Sequence, residues 1–493
     1  MKNIPEIKLG IISVSRDCFP ITLSARRRNA VARAYAEKYG DIYECPITVE
    51  NERDAVAAVD DVLDNDVNAL VVFLGNFGPE APETQIAELF GGPVMYAAAA
   101  EEDIAVLSSD RGDAYCGMLN CSYNLGLRNI KAYIPSYPVG TAAEVAGMIA
   151  DFVPVARALE GIANLKIISY GPRPRDFFAC NAPIKPLYDL GVEIEENSEL
   201  DLLVAYKKHA NDSRIPAKVE EMAAELGEGN KMAGILPRLA QFELTLLDIA
   251  EENRGSREYV AFANKCWPAF QTEFGFVPCY VNSRLTAMGI PVSCEVDIYG
   301  ALSEYIGLCV SGEPVTLLDI NNTVPADLYE ADIRGRFPYQ HKETFMGFHC
   351  GNTPICRLKS GTMKYQLIMH RGLEPDKEPD ITRGTLEGDI LPGPITFFRL
   401  QGNAEGSLQA YIAQGEVLPV STHSFGGIGV FAIPQMHRFY RHVLIEKHFP
   451  HHGAVAFGHW GKALFSVFNY LGLEDISINR PASLPYPTEN PFD

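Results

Sequence analysis

The sequence predicts an α/β protein in which two Rossmann-like αβ domains precede a β-rich, barrel-like C-terminal domain. Three observations carry this prediction. Short apolar runs alternate with helix-like stretches from Lys8 to about Leu159, and the alternation resumes at Leu165. From about Gly312 the texture changes to short β-rich runs separated by Gly and Pro clusters. The implied domains are 1–162, 163–311 and 312–493, a reasonable division for 493 residues, too many for one hydrophobic core.

In the first domain Leu9–Val14, Ala69–Leu74, Val94–Ala99 and Lys131–Ile134 read as buried parallel strands. Leu23–Tyr39, Asp54–Leu63 and Ala142–Leu159 read as the helices between them. Ligands of such folds sit beyond the carboxyl ends of the strands, which directs attention to Ser15–Pro20 and Gly75–Glu80. The second domain opens with the strand Lys166–Tyr170, followed by Gly171-Pro172-Arg173-Pro174, and carries a helix at Leu239–Glu252. The third should hold strands at Met363–Met369, Ile395–Leu400, Leu408–Ala413 and Gly429–Ile433, with helices at Gln435–Lys447 and Lys462–Tyr470. The Pro-rich run from Pro481 to Pro491 reads as a docked or frayed tail.

Charge and cysteine usage narrow the function classes. With 63 acids against 42 bases the net charge is −21, so the field repels a phosphate backbone and nucleic-acid binding is disfavoured. The 11 cysteines form no CxxC pair, which fits reduced thiols in a cytoplasmic protein. No signal peptide follows Met1 and no apolar run approaches membrane-spanning length, so no membrane role is expected. GxGxxG, the P-loop, GxSxG and HExxH are all absent, which argues against a Rossmann dehydrogenase, a kinase and a zincin.

Chemistry concentrates in the second half. Glu295 follows the strand-like Pro291–Cys294 and precedes an amphipathic helix, so it points into a crevice, while Asp297 reads as that helix's cap. Asp319 ends the apolar run Val315–Leu318, with Asn321 and Asn322 behind it as turn or site residues. His459 ends a small, Gly-flanked strand, Gly453–Gly458. His349 reads equally as a structural or a site residue. The pair His451-His452 reads as solvated loop, and His437, His442 and His448 as helix surface. Two carboxylates and one or two imidazoles, each at a strand end, suit Mn²⁺, or Mg²⁺ or Co²⁺ in its place. Arg16, Arg173, Lys265 and Arg399 are the cations available to a charged substrate tail, with salt-bridge or surface roles as the alternative for each.

Four stretches, Cys294–Leu302, Leu318–Asn322, Phe348–Gly351 and His452–His459, together with Lys265-Cys266-Trp267-Pro268, resemble the L-fucose isomerase family and more distantly L-arabinose isomerase. The resemblance implies a Mn²⁺-dependent aldose–ketose isomerase working through a cis-enediol. Glu295, Asp319 and His459 match the metal ligands, and Glu295 and Asp319 the acid/base pair. The resemblance also implies homo-oligomers, trimers or hexamers, in which a neighbouring subunit's first domain lines the site. On that pattern Arg16, Asn76, Phe77 and Glu80 contribute to the substrate pocket, joined by Trp267, His349 and Asn321. The expected substrate is an L-fucose- or D-arabinose-like aldose or another C6-modified aldose, anionic ones included. Two other readings stay open: a metal-dependent sugar-acid aldolase or lyase, and a non-catalytic sugar-binding protein.

Overall fold

The structure is a computed structural model that describes residues 3–490 and Phe492. Met1, on which the expectation about a signal peptide falls, and Pro491 of the C-terminal tail lie outside the described residues. Two compact units make up the chain. The smaller comprises Pro5–Glu160 with Ser466–Gly472, and the larger is built from Gly161–Phe465 and the segment from Leu473 onward.

The smaller unit is built on a parallel sheet of β1 (Leu9–Val14), β2 (Tyr43–Val49), β3 (Ala69–Leu74), β4 (Val94–Ala99) and β5 (Val139–Gly140), in the order β2-β1-β3-β4-β5. Every residue of β1, β3 and β4 is buried. Unbroken apolar runs of this kind need helices on both faces, which is why they are legible in sequence. The expected strand at Lys131–Ile134 contributes only a bridge from Tyr133 to Met95, and β5 takes the edge instead. The opposite edge strand, β2, carries an exposed Pro46 among half-buried positions, the mixed pattern of an edge that sequence periodicity does not flag.

The larger unit contains a second parallel sheet, β7-β6-β8-β9, formed by β6 (Leu165–Tyr170), β7 (Glu193–Asn197), β8 (Tyr259–Ala263) and β9 (Val292–Ser293). Its remaining strands are β10 (Thr316–Thr323), β11 (Thr344–His349), β12 (Thr362–Tyr365), β13 (Arg383–Asp389), β14 (Gly393–Gly402), β15 (Leu408–Leu418), β16 (Gly427–Ala432), β17 (His452–Phe457) and β18 (Asp475–Ile478). Six of them pair antiparallel in the cycle β16-β11-β10-β17-β14-β15, and β15 pairs back to β16. The ring is therefore a closed barrel, which removes sheet edges. Leu318, Phe345, Phe397, Tyr411, Phe431 and Val455, one from each strand, are buried in a common core. Phe345 and Phe397 meet edge to face at 5.9 Å, and Phe397 stacks on Tyr411 at 6.1 Å. Gly453 admits the Phe397 ring, because a Cβ there would lie 2.1 Å from it.

The helix Ile298–Ser311 joins barrel and sheet. All of its residues but the last are buried, and it packs on β14 and β17 on one side and on β8 and β9 on the other. A helix apolar all round belongs in an interior. The expected boundary at 311/312 falls at the helix's left-handed C-terminal Gly312, inside the larger unit. The expected helix Gln435–Lys447 forms as a short turn, Met436–Phe439, continued by the wider π-helical Tyr440–Ile445. The tail is docked, with Arg438 paired to Glu489 at 2.5 Å and Tyr486 buried. Among the described residues no helix is long and apolar enough to cross a membrane.

One buried ion network locks the helices of the larger unit. Arg284 Nε donates to Glu243 Oε2 at 2.5 Å and its NH1 to Glu225 Oε2 at 2.6 Å, with Arg284 6% and Glu243 0% exposed. Arg284→Met leaves the fully buried Glu243 with Lys218 Nζ at 3.2 Å as its remaining cation and Glu225 with the Tyr280 hydroxyl, so it should cost about 3 kcal/mol in urea unfolding. A loss below about 1 kcal/mol contradicts this account.

Candidate functional site

Glu295 enters the site from the turn after β9, and its backbone is held in an unusual state. Glu295 has φ 61° and Val296 φ 57°, left-handed values rare for any residue with a Cβ and rarer for a β-branched one. Such positions cost about 1–3 kcal/mol each and persist only where their surroundings enforce them. Here Val296 N–H donates to the Asn264 carbonyl at 2.8 Å, and the Asn264 and Asn282 side chains bond each other reciprocally at 3.0 and 3.1 Å. Trp267 Nε1 donates to Glu295 Oε1 at 3.2 Å.

Asp319 enters from β10, at the point where its buried residues give way to exposed ones. In the antiparallel pairing of β10 and β17, Asp319 stands opposite His452. His452 Nε2 lies 3.3 Å from Glu295 Oε2 and 3.3 Å from Asp319 Oδ1. The two predicted acids thus converge on one imidazole nitrogen, but the imidazole is not the predicted one. His459 lies at the opposite end of β17, roughly 20 Å of strand away. Its Nε2 faces the Gly415 carbonyl at 3.2 Å, and it lines a separate cavity. The expected ligand His459 follows the carboxyl end of its Gly-flanked strand. In the antiparallel pair it is the amino end of β17 that stands at Asp319, so His452 occupies the place. Nor is His452 solvated loop, since it is 1% exposed.

His452 is fixed from behind. Its Nδ1 lies 2.9 Å from Asp297 Oδ2, and because a carboxylate only accepts, Nδ1 carries the proton. Asp297 is held in turn by two Arg399 bonds of 2.8 and 2.9 Å, with both side chains 2% exposed. Asp297 also accepts from Gly300 N–H at 2.8 Å, so it does cap its helix, as expected, while it orients the histidine. His349 behaves differently: its Nδ1 accepts from Cys350 N–H at 2.9 Å, which leaves the proton of the neutral ring on Nε2 and makes it a donor toward the site.

The donor chemistry fits a divalent cation. Glu295, His451 and His452 form one group of donor atoms within 4.8 Å of one another, and Asp319, His349 and His452 form another. Asp319 Oδ1 and His452 Nε2 are buried without a directed hydrogen bond among the described residues. Orphaned buried polar atoms facing each other are expected where an ion belongs. The nearby Cys180 lies at the other ring nitrogen, its Sγ 3.8 Å from His452 Nδ1, while Glu295 and Asp319 face Nε2; burial pushes its thiol up to about 12.

Asn321, at the exposed end of β10, borders a cavity of about 820 Å³. Arg16, Asn76, Phe77 and Glu80 lie together at the carboxyl ends of β1 and β3 in the smaller unit. Arg16 pairs with Glu80 at 3.5 Å and lies 4.8 Å over the Phe77 ring. Asn76 is fully buried, with its side chain joined to Ser15 and the Arg16 amide. Sequence reasoning did not single out His452, His451, Phe177 or the orienting role of Asp297. The available signal was the His-His pair immediately ahead of the Gly453–Phe457 run.

Charge makes the site pH-sensitive in both directions. Burial opposes ionisation of His452, but Asp297, Asp319, Cys180 and Glu295 together hold its imidazolium well above the ordinary 6.5. Burial likewise works against Glu295 and Asp319, yet His452 keeps both below the ordinary carboxylate values. The raised histidine stabilises the fold below its unfolded pKa, and that contribution fades as pH rises through the folded one. The lowered acids stabilise above their unfolded pKa values, and theirs fades on acidification. Without added cation, thermal stability should therefore fall on both sides of a maximum, and His452→Gln should remove the alkaline limb. An unchanged alkaline limb in His452→Gln contradicts this assignment.

Comparison with known proteins follows the same lines. A fucose/sulfoquinovose isomerase N-terminal domain matches residues 10–163, and an L-fucose isomerase C-terminal domain matches residues 347–478. A sulfoquinovose isomerase of Alkalicoccus urumqiensis is 25% identical over 313 residues, 61% of this chain and 62% of that protein. One from Priestia megaterium is 25% identical over 269 residues, 54% of each chain, and one from Clostridium sp. over 286 residues, 58% of each. The chain spans about three fifths of the length of these relatives. His349 and His452 fall within the C-terminal match, while Glu295 and Asp319 fall between the two matched segments. With both domain models matched in order along it, the chain belongs to the fucose isomerase-like family.

Proposed function

We propose that this protein is a metal-dependent aldose–ketose isomerase acting on an open-chain, C6-modified sugar. The observation that carries the reading is the convergence of Glu295 and Asp319 on one buried imidazole nitrogen, each 3.3 Å away. Glu295, Asp319 and His452 would hold Mn²⁺, or Mg²⁺ or Co²⁺ in its place, and the ion would there supply Lewis-acid polarisation of the sugar carbonyl.

The chain's own groups do the rest. One of the two carboxylates removes the C2 proton as O1 takes up a proton, giving an enediol; a proton is then returned to C1 as the O2 proton is lost, so the carbon skeleton and the oxidation state of the whole molecule are conserved. Both acids are held ionised at neutral pH, as a base requires. His349 presents its Nε2 proton to a sugar oxygen. Asp297 and Arg399 keep His452 in the tautomer that offers Nε2 as a ligand. The names of the relatives support an anionic, sulfoquinovose-like aldose as the substrate class.

With Mn²⁺ present, Glu295→Gln should lower kcat by about 10²–10⁴-fold, the usual worth of a positioned general base. His452→Ala should abolish turnover at ordinary metal levels, while His459→Ala should stay near wild type. The reverse order for the two histidines would restore the original ligand assignment and sink this one. Removing metal with EDTA should abolish turnover and Mn²⁺ should restore it. Calorimetry in buffers of differing ionisation enthalpy should detect proton release on binding, because the His452 imidazolium must deprotonate to bind. Full activity after exhaustive chelation contradicts the metal role.

A further inference from the structure

Of the four cations that sequence offers to a charged substrate tail, three are committed elsewhere. Arg399 is bound to Asp297, Lys265 is paired with Glu199 at 2.9 Å, and Arg16 is paired with Glu80 in the smaller unit. Arg173 alone has no carboxylate within ion-pair distance among the described residues, in a chain whose acids outnumber its bases 63 to 42. Its guanidinium lies 4.5 Å over the Phe178 ring, its NH1 reaches Asn181 Oδ1 at 3.4 Å, and its Nε is buried without a hydrogen-bond partner.

The loop that carries Arg173 roofs the proposed metal cluster. Phe177 packs edge-on against Trp267 at 6.1 Å and against His451 at 5.4 Å, and Cys180 Sγ lies 3.8 Å from His452 Nδ1. Both ends are pinned, the first by Lys265 Nζ on the Pro172 carbonyl at 3.0 Å and the last by Tyr299 OH on the Pro183 carbonyl at 2.8 Å. Phe178 and Asn181, the two residues Arg173 touches, line a cavity of about 510 Å³ whose wall also includes His451 and Ile320, the sequence neighbours of His452 and Asp319. Among the described residues no acidic one lines this cavity, while Gln401, Asn403 and His448 do. An acid-free recess with amide and imidazole donors, opening beside a metal-type cluster, suits an oxyanion that needs several donors and no negative neighbour.

We propose that Arg173 and this cavity read the anionic substituent at C6 of the sugar, an inference that rests on the isomerase reading above. Arg173 is a specificity residue here. The planar guanidinium reaches past Asn181 to a sulfonate- or phosphate-type group while the reactive end of the sugar meets Glu295 and Asp319.

The test uses the full chain with Mn²⁺ and two unreactive probes, 6-deoxy-6-sulfo-D-glucitol and 6-deoxy-D-glucitol, titrated by calorimetry, alongside turnover of the corresponding aldoses. Wild type should bind the sulfonated hexitol at least about tenfold more tightly, the worth of one charge-assisted hydrogen bond. Arg173→Gln should collapse that ratio toward one. Arg173→Lys should keep part of it, because the charge remains while the planar fork is lost. Arg175→Gln, on an exposed neighbour in the same loop, should leave the ratio in place. No preference in wild type, or a ratio unmoved by Arg173→Gln, overturns the proposal. Sulfonate-selective binding lost in Arg173→Gln, without conversion of either aldose, upholds Arg173 and removes the isomerase reading instead. Conversion of the aldoses with an unmoved ratio removes Arg173 alone.

Discussion

The buried pair between Arg399 and Asp297 is the interaction on which the site depends. Two charges at 2% exposure stabilise a fold only if each satisfies the other, and their bidentate geometry does so. The pairing keeps Asp297 ionised beside His452, and the ionised Asp297 dictates which nitrogen of His452 faces the two acids. Arg399 comes from β14, Asp297 from the start of the central helix and His452 from β17. One contact therefore joins the barrel to the parallel sheet and sets the tautomer of the central imidazole.

Around that fixed point the site lies where two kinds of sheet meet. Glu295 follows the carboxyl end of a parallel strand, β9, as ligand-binding residues of open αβ sheets do. Asp319 lies midway along β10, His349 ends β11, and His452 begins the antiparallel strand between β10 and β14. The left-handed backbone at Glu295 and Val296 is the local cost of turning from the sheet into the helix while aiming a carboxylate at the barrel.

Strong overall acidity and a local acid-free recess are compatible because they act at different ranges. The net charge of −21 sets the long-range field, which salt screens over about 10 Å. Around the recess beside His451, a lining without carboxylates among the described residues and the Arg173 guanidinium against two of its wall residues, Phe178 and Asn181, define the local potential. An anionic substrate can be held in a protein that repels polyanions in general.

The unbroken apolar strands β1, β3 and β4 were legible to the residue, because strands buried on both faces read as continuous hydrophobic runs. The change of texture near Gly312 likewise marked the β-rich region, and Glu295 and Asp319 stood out as carboxylates terminating apolar runs. By itself the sequence determined the αβ order, the β-rich end and the two acids. Only the tertiary structure decided the histidine, because choosing between His452 and His459 requires knowing that β17 runs antiparallel to β10. It likewise decided that Asp297 orients as well as caps, and that Arg399 is committed while Arg173 is free of acids. Side-chain partnership across a barrel depends on strand direction and register, and a linear pattern of residue types carries neither.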